Sequence, residues 1–247
     1  MLLLIPTPYE ASLLFGESAS RPLLEGASAR LPLGPFTIEA ALCGFGLAAA
    51  GAGAAHWIAR SAAPSKGGFP GADSPRVLLI GLAGTYDEER APVGGALAGT
   101  AVACDGIGVG EGIAYQNAEE AGWRQGHPLP GEAPSGDRLE LDCPIVLGEG
   151  LPARGELLSV SAASAGAVQS VRRARLFPSA LAEEMETFSV ALAARLAGAR
   201  LTAVRGISNR AGDRRKSHWR PEEAMAAARE ALIRTLEGAT AGASLTR

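Results

Sequence analysis

Aromatic side chains are scarce in this chain, with six Phe, three Trp and three Tyr among 247 residues. Small residues packed closely must therefore fill much of the interior, and 32 glycines supply tight turns. Cysteine is sparse too. Cys43, Cys104 and Cys143 are far apart and form no C-x-x-C pair. That excludes a disulfide scaffold or a zinc ribbon and leaves three small buried hydrophobes. No basic tract exceeds Arg214-Arg215-Lys216, and 23 basic against 26 acidic residues give a net charge of −3. Neither a nucleic-acid groove nor a membrane surface fits that balance. No apolar run approaches the roughly 18 residues of a membrane span. The opening MLLLIP lacks a basic n-region and is short for a signal peptide. It reads as the buried first strand of a cytoplasmic protein.

What is present is an ordinary globular composition, 47% hydrophobic and 20% charged, which excludes wholesale disorder. Apolar runs predict strands at 2–5, 36–43, 76–80, 100–109, 143–147, 157–160 and 201–208. The run at 76–80 leads into a glycine loop at 81–84. Helices are expected after Thr7 as N-cap with Pro8 in first position, and at 46–60, 164–173, 180–196 and 221–236. The last is expected to stop before Gly238. The Pro/Gly/Ser stretch 61–74 is a loop within one domain spanning 1–247, because the first sixty residues hold too few elements for a core of their own. Residues 118–137 read as irregular. Alternating strands and helices predict an α/β fold of three α/β/α layers.

Several constellations could carry chemistry. Gly44-Phe45-Gly46-Leu47-Ala48-Ala49 fits the dinucleotide pattern G-x-G-x-x-A. It follows the second strand, and no acidic residue ends the next one, so close packing of helix on sheet is the better account of its glycines. In the helix expected at 180–196, Leu181, Met185, Phe188 and Leu192 form the core stripe, and Glu183 and Glu184 are solvated first-turn acids. Glu186 has only Ala182, Ser189 and Val190 as helical neighbours, so it is either a solvated acid or a carboxylate awaiting a polar ligand. The strand at 201–208 ends in Ser208-Asn209, where open α/β sheets bind ligands, although the pair followed by Arg210-Ala211-Gly212-Asp213 fits a plain turn equally well. Arg205 lies mid-strand, and a buried guanidinium needs a partner. Glu10 follows the first strand. His56, His127 and His218 show no metal-ligand spacing, and no G-x-S-x-G elbow occurs.

Taken together, IPTPYEASLL, LCGFGLAAAGAGAA, VLLIGLAGTYD, EEMETFSVALAA and VRGISNRAGD resemble the purine nucleoside phosphorylase superfamily. The closest branch holds the nucleosidases that hydrolyse methylthioadenosine and S-adenosylhomocysteine. Within it RGISNRAGDRRKSHW, followed by a closing helix, is similar to the futalosine hydrolases of menaquinone biosynthesis. The resemblance implies a nucleoside phosphorylase-like fold with a central mixed, partly barrel-like sheet. It implies a nucleoside as small-molecule partner, a homo-oligomer (dimer or higher), and no metal or redox cofactor.

It also implies roles. Glu10 would orient and deprotonate the attacking water, and Asn209, with Ser208 beside it, would stabilise the departing base. Met185 and Glu186 would hold the ribose. Ala83 and Gly84 would line the pocket, and Arg205 would support Glu186 or Glu10 from behind. The adenine-specific members carry Asp at the position of Asn209. An amide can accept from N7–H and donate to O6 of a 6-oxopurine, which points to hypoxanthine or guanine. Pro6-Thr7-Pro8 replaces the phosphate-binding Gly-Asp-Pro of the phosphorylases, with no arginine nearby, so water is the expected nucleophile. The family's aromatic after the sixth strand is missing from Val160-Ser161-Ala162-Ala163-Ser164-Ala165-Gly166, so stacking on the base comes from elsewhere, with Tyr86 and Trp219 as candidates, or is absent. Arg172, Arg173 and Arg175 read as a solvated basic face. The alternatives are a methylthioadenosine-type nucleosidase, a 6-oxopurine phosphorylase and a nucleoside-binding sensor. Glu10 argues against the sensor, which has no use for a water-activating base.

Overall fold

The computed structural model describes residues 1–61, 74–126, 135–143 and 152–244. Most of the loop expected at 61–74, the strand expected at 143–147 beyond Cys143, and His127 lie outside them. In chain order the elements are β1 (Leu2–Ile5), α1 (Pro8–Phe15), α2 (Glu17–Leu24), β2 (Ala29–Leu33), β3 (Phe36–Leu42) and α3 (Gly46–Ser61). Then come β4 (Arg76–Thr85), β5 (Ala96–Asp105), the short β6 (Gly108–Val109) and β7 (Gln116–Asn117), β8 (Arg138–Glu140) and β9 (Ala153–Val160). The chain continues through α4 (Ala167–Leu176), β10 (Ala180–Glu184), α5 (Thr187–Leu196), β11 (Arg200–Arg210) and α6 (Pro221–Ser244).

The main sheet is mixed and runs β10-β9-β5-β11-β4-β1-β3-β2. β10 pairs a second time, antiparallel, with β4. That pairing closes β4, β11, β5, β9 and β10 into a five-stranded barrel from which β1, β3 and β2 extend. Helices cover both faces because the central strands are apolar on both. Leu2 and Leu4 of β1 pack into the core under α3 and α5, while Leu3 and Ile5 pack into the core under α1, α2 and α6. The expected three layers and barrel-like mixed sheet are therefore present.

Several expectations about elements need correction. The segment expected as one helix at 180–196 is two elements. Its first five residues are the strand β10, and only Thr187–Leu196 is helical. Ala, Leu and Glu favour helix locally, but pairing on both sides with β9 and β4 satisfies this backbone in the sheet. Consequently Glu183 and Glu184 are buried rather than solvated first-turn acids, and no core stripe runs through Leu181 and Met185 on one helix. The glycine loop expected at 81–84 is instead the continuation of β4, paired with β11 throughout. The strand expected at 100–109 is two, β5 and β6. The closing helix runs through Gly238 to Ser244. α2 and β2 had no counterpart among the expected elements. No helix among the described residues is long and apolar enough to cross a membrane.

Candidate active site

The carboxyl ends of β1, β3, β4 and β11 open on a cavity of about 630 Å³. Glu10, Ala83 and Gly84 line it, as do Met185, Glu186, Ser208 and Asn209. Arg205 does not; it is completely buried behind the carboxylates.

Glu10 sits in the first turn of α1, just past β1. Thr7 caps α1, and its hydroxyl both accepts from Glu10 N at 3.2 Å and donates to Glu10 Oε2 at 2.5 Å. Glu10 Oε1 accepts from Leu82 N at 2.8 Å. The carboxylate is thus held by two different elements at the edge of the cavity. Burial raises its pKa above the usual carboxylate value, against the lowering effects of Thr7, Arg205 and Leu82. A buried carboxylate of raised basicity is suited to taking a proton from water.

Glu186 occupies the residue before α5, not the interior of a helix. Its Oε1 accepts from Gly46 N at 3.0 Å, and its Oε2 lies 3.4 Å from Arg205 Nη2. Gly46 is the first residue of α3, and both it and Gly44 have positive φ (80° and 99°). The turn they make aims an amide at Glu186 and leaves Phe45, 63% exposed, on the cavity wall. Gly46 serves the turn alone, with open space where a Cβ would be, whereas Gly44 also lets α3 pack closely as expected, since a Cβ there would lie 2.9 Å from Ala49 Cβ. Gly53 brings α3 closer still, since a Cβ there would fall 2.1 Å from the Cys43 carbonyl oxygen.

Glu184 is the unforeseen partner of Arg205. Its Oε2 accepts from Arg205 Nη2, from Glu186 N at 2.9 Å and from Thr187 N at 2.8 Å, while its Oε1 accepts from Ser159 Oγ. It thereby fixes the start of α5 and the backbone of Glu186. Arg205 also donates to Thr187 Oγ1 at 2.9 Å. One guanidinium faces three carboxylates, Glu184, Glu186 and Glu10. Burial raises Glu186 to about 7; Arg205 opposes the shift and Glu184 adds to it. The surplus of negative charge suits a ligand that develops positive charge here.

Across the cavity a β-bulge re-aims the end of β11. Ile207 pairs with Ala83 and Asn209 with Gly84, so Ser208 is the extra residue. Ser208 Oγ donates to Asn209 Oδ1 at 2.7 Å, and Asn209 Nδ2 donates to the Arg210 carbonyl at 2.8 Å. Trp219 lines the cavity, its Nε1 donating to the Asp213 carbonyl at 2.9 Å and the Arg214 guanidinium lying 5.4 Å from its ring centroid.

Tyr86, the other aromatic considered for stacking, is absent from the cavity lining and donates its hydroxyl to Glu183 Oε2 at 2.7 Å. The basic face expected on α4 is only partly solvated. Arg172 and Arg175 are exposed, but Arg173 is buried, with Asp105 at 2.8 Å and Glu183 at 3.4 Å. Glu183 and Phe45 are cavity residues that the sequence reading missed. An aromatic between two glycines, in a chain poor in aromatics, was the available signal for Phe45. For Glu183 the helical misreading of residues 180–186 hid it. Among the described residues no group of His, Cys, Asp and Glu is placed to hold a metal ion.

The model of the phosphorylase superfamily matches residues 41–241. A futalosine hydrolase of Streptomyces coelicolor is 30% identical over 193 residues, covering 76% of this chain and 77% of that protein. Two solved structures share the fold. The methylthioadenosine/S-adenosylhomocysteine nucleosidase of Colwellia psychrerythraea, in complex with adenine, superposes with a TM-score of 0.68 at 16% identity, covering 96% of this chain and 94% of its own. The futalosine hydrolase of Helicobacter pylori gives a TM-score of 0.64 at 16% identity, covering 96% of each chain.

Proposed function

The chain belongs to the phosphorylase superfamily, and from that premise we propose that it hydrolyses the N-glycosidic bond of futalosine, releasing hypoxanthine and dehypoxanthinylfutalosine. The observation that carries this reading is the convergence of Glu10, Glu186 and Asn209 on one cavity, with an amide rather than a carboxylate at the end of β11. The similarity to the Streptomyces coelicolor enzyme supports it. The step belongs, on this reading, to menaquinone biosynthesis.

Cleavage of an N-glycosidic bond passes through an oxocarbenium-like transition state, as glycoside hydrolysis does. Glu186 accepts from the ribose hydroxyls, and Met185 packs on the sugar. Glu10 accepts a proton from water as its oxygen bonds to the anomeric carbon. The bond to N9 breaks and its electron pair leaves with the base, which takes a proton from solvent at N7, while Glu10 later returns its own proton to solvent. Asn209 accepts from that N7–H and donates to O6. The carboxylates of Glu10 and Glu186 stabilise the positive charge that develops on the ribose. Arg205 touches no substrate; it holds Glu184 and Glu186 in register and keeps their mutual repulsion in check.

The test is release of hypoxanthine from futalosine with and without phosphate. Turnover should be indifferent to phosphate and yield free sugar. A product dominated by a sugar 1-phosphate makes the protein a phosphorylase. Equal cleavage of methylthioadenosine makes it an adenine-type nucleosidase.

A further inference from the structure

Glu183 is a buried carboxylate that lines the cavity and has no part in the steps above. Strand register fixes its place. β10 sets Glu183 opposite Gly84 of β4, and β11 sets Asn209 opposite the same glycine. Directly opposed residues on neighbouring strands present their side chains to one face. Glu183 and Asn209 therefore stand on one face with Gly84 between them, their backbones two strand spacings, or roughly 10 Å, apart. Gly84 contributes no side chain to that gap, and a Cβ there would meet Asn209 Nδ2 at 3.2 Å. The row forms a slot with a polar group on each side and bare backbone at its base.

The carboxylate is held firmly. Its Oε2 accepts from Ser164 Oγ at 2.6 Å and Tyr86 OH at 2.7 Å, with Arg173 Nη1 at 3.4 Å. Its Oε1 accepts one bond, from Ser164 N at 2.7 Å. A carboxylate oxygen can accept about two, so Oε1 keeps one lone pair for a ligand. Both donors of Ser164 are spent on Glu183, so neither is free to serve an acceptor on the base.

We infer that Glu183 determines which base the slot takes, its Oε1 accepting the N1–H of a 6-oxopurine whose O6 and N7 face Asn209. The inference rests on the reading of Asn209 as the residue at the base. In a 6-aminopurine N1 is itself an acceptor, and facing a carboxylate it would leave two acceptors opposed and unpaired. Discrimination of about 5- to 150-fold follows from one unpaired buried polar group.

The experiment measures binding of free hypoxanthine, adenine and 1-methylhypoxanthine to the intact chain by calorimetry, for wild type, Glu183→Gln and Ser164→Ala. Wild type should bind hypoxanthine at least 5-fold more tightly than either other base. Glu183→Gln should lose that preference, because its neutral oxygen accepts more weakly from the N1–H of hypoxanthine and its NH₂ can donate to adenine N1. Ser164→Ala keeps the carboxylate and should keep the preference. Equal weakening of hypoxanthine and adenine in Glu183→Gln would reduce the residue to an anchor of the 161–166 loop and overturn the inference. So would an unchanged preference, or no hypoxanthine binding by wild type. Should Glu183→Gln not fold, equal wild-type affinity for hypoxanthine and 1-methylhypoxanthine overturns it. Because binding needs no turnover, selective binding without cleavage of futalosine would sink the proposed activity and leave Glu183 standing. Cleavage with an unchanged preference in Glu183→Gln would do the reverse.

Discussion

Glu10 shows how much a single residue owes to its surroundings. In the sequence it is one acid near a helix start. In the structure it is buried, clamped by Thr7 and Leu82, and raised in pKa by desolvation. Its base form is needed for catalysis, so acidification through that raised pKa should remove activity. The acid limb of kcat/KM should lie above the ordinary value of 4.5. Glu10→Gln is nearly the same size but cannot take a proton. It should lower kcat by about 10²–10⁴-fold while the melting temperature is kept or raised, since a buried charge is removed. A variant with wild-type turnover removes Glu10 from the reaction. The neighbouring Glu184 illustrates the opposite case. It lines the cavity, but its bonds run to Arg205, Ser159 and the amides at the start of α5, so its work is positioning.

Among the elements, β4 is the one on which the site is assembled. It pairs with β1, β11 and β10, and so carries register from the strand that leads into Glu10's helix to the strands of Asn209 and Glu183. Its midpoint, Gly81, must be bare. A Cβ there would lie 2.1 Å from Arg205 Nη1 and 2.8 Å from Glu10 Oε1. Arg205 is tied to Glu184 and Thr187 and has no room to withdraw. Gly81→Ala should therefore displace Arg205 and Glu10 together. Steady-state kinetics should show kcat/KM reduced by at least about tenfold, equivalent to about 1.4 kcal/mol. Circular dichroism should show the sheet retained. Unaltered kinetics would mean that the guanidinium moves freely, and that its placement does not govern the site.

On the scale of the whole molecule, one buried cation shared by three carboxylates makes stability depend on pH. Glu186 has a folded pKa of about 7 against 4.5 for the free side chain. Below 4.5 the group is protonated in folded and unfolded chains alike, and burial carries no charge penalty. As pH rises through the window to about 7 the unfolded chain ionises freely while the folded one must bury the charge, so stability is lost. Glu186→Gln should thus melt close to wild type at pH 5 and above it at pH 8, by roughly 5 °C, while its ribose recognition falls. An equal difference at both pH values would show that Glu186 does not titrate in this range.

The sequence by itself determined the parts governed by local signals: the apolar β1, the Thr7 cap with Pro8, the Ala-rich α3, and the β11 end carrying Ser208-Asn209. It also held enough of the family pattern to nominate Glu10, Met185 and Glu186, which the fold brings to one cavity. Only tertiary structure decided that Ala180-Leu181-Ala182-Glu183-Glu184 is a strand. Those residues prefer helix, but as β10 they close the barrel between β9 and β4, and every residue of the five is buried there. The energy of that closure comes from partners far away in sequence, about which local propensity holds no information. For the same reason Arg173, which reads as one of three solvated arginines, became a buried partner of Asp105 and Glu183. A side chain's neighbours across the sheet are set by register, and register exists only once the strands have met.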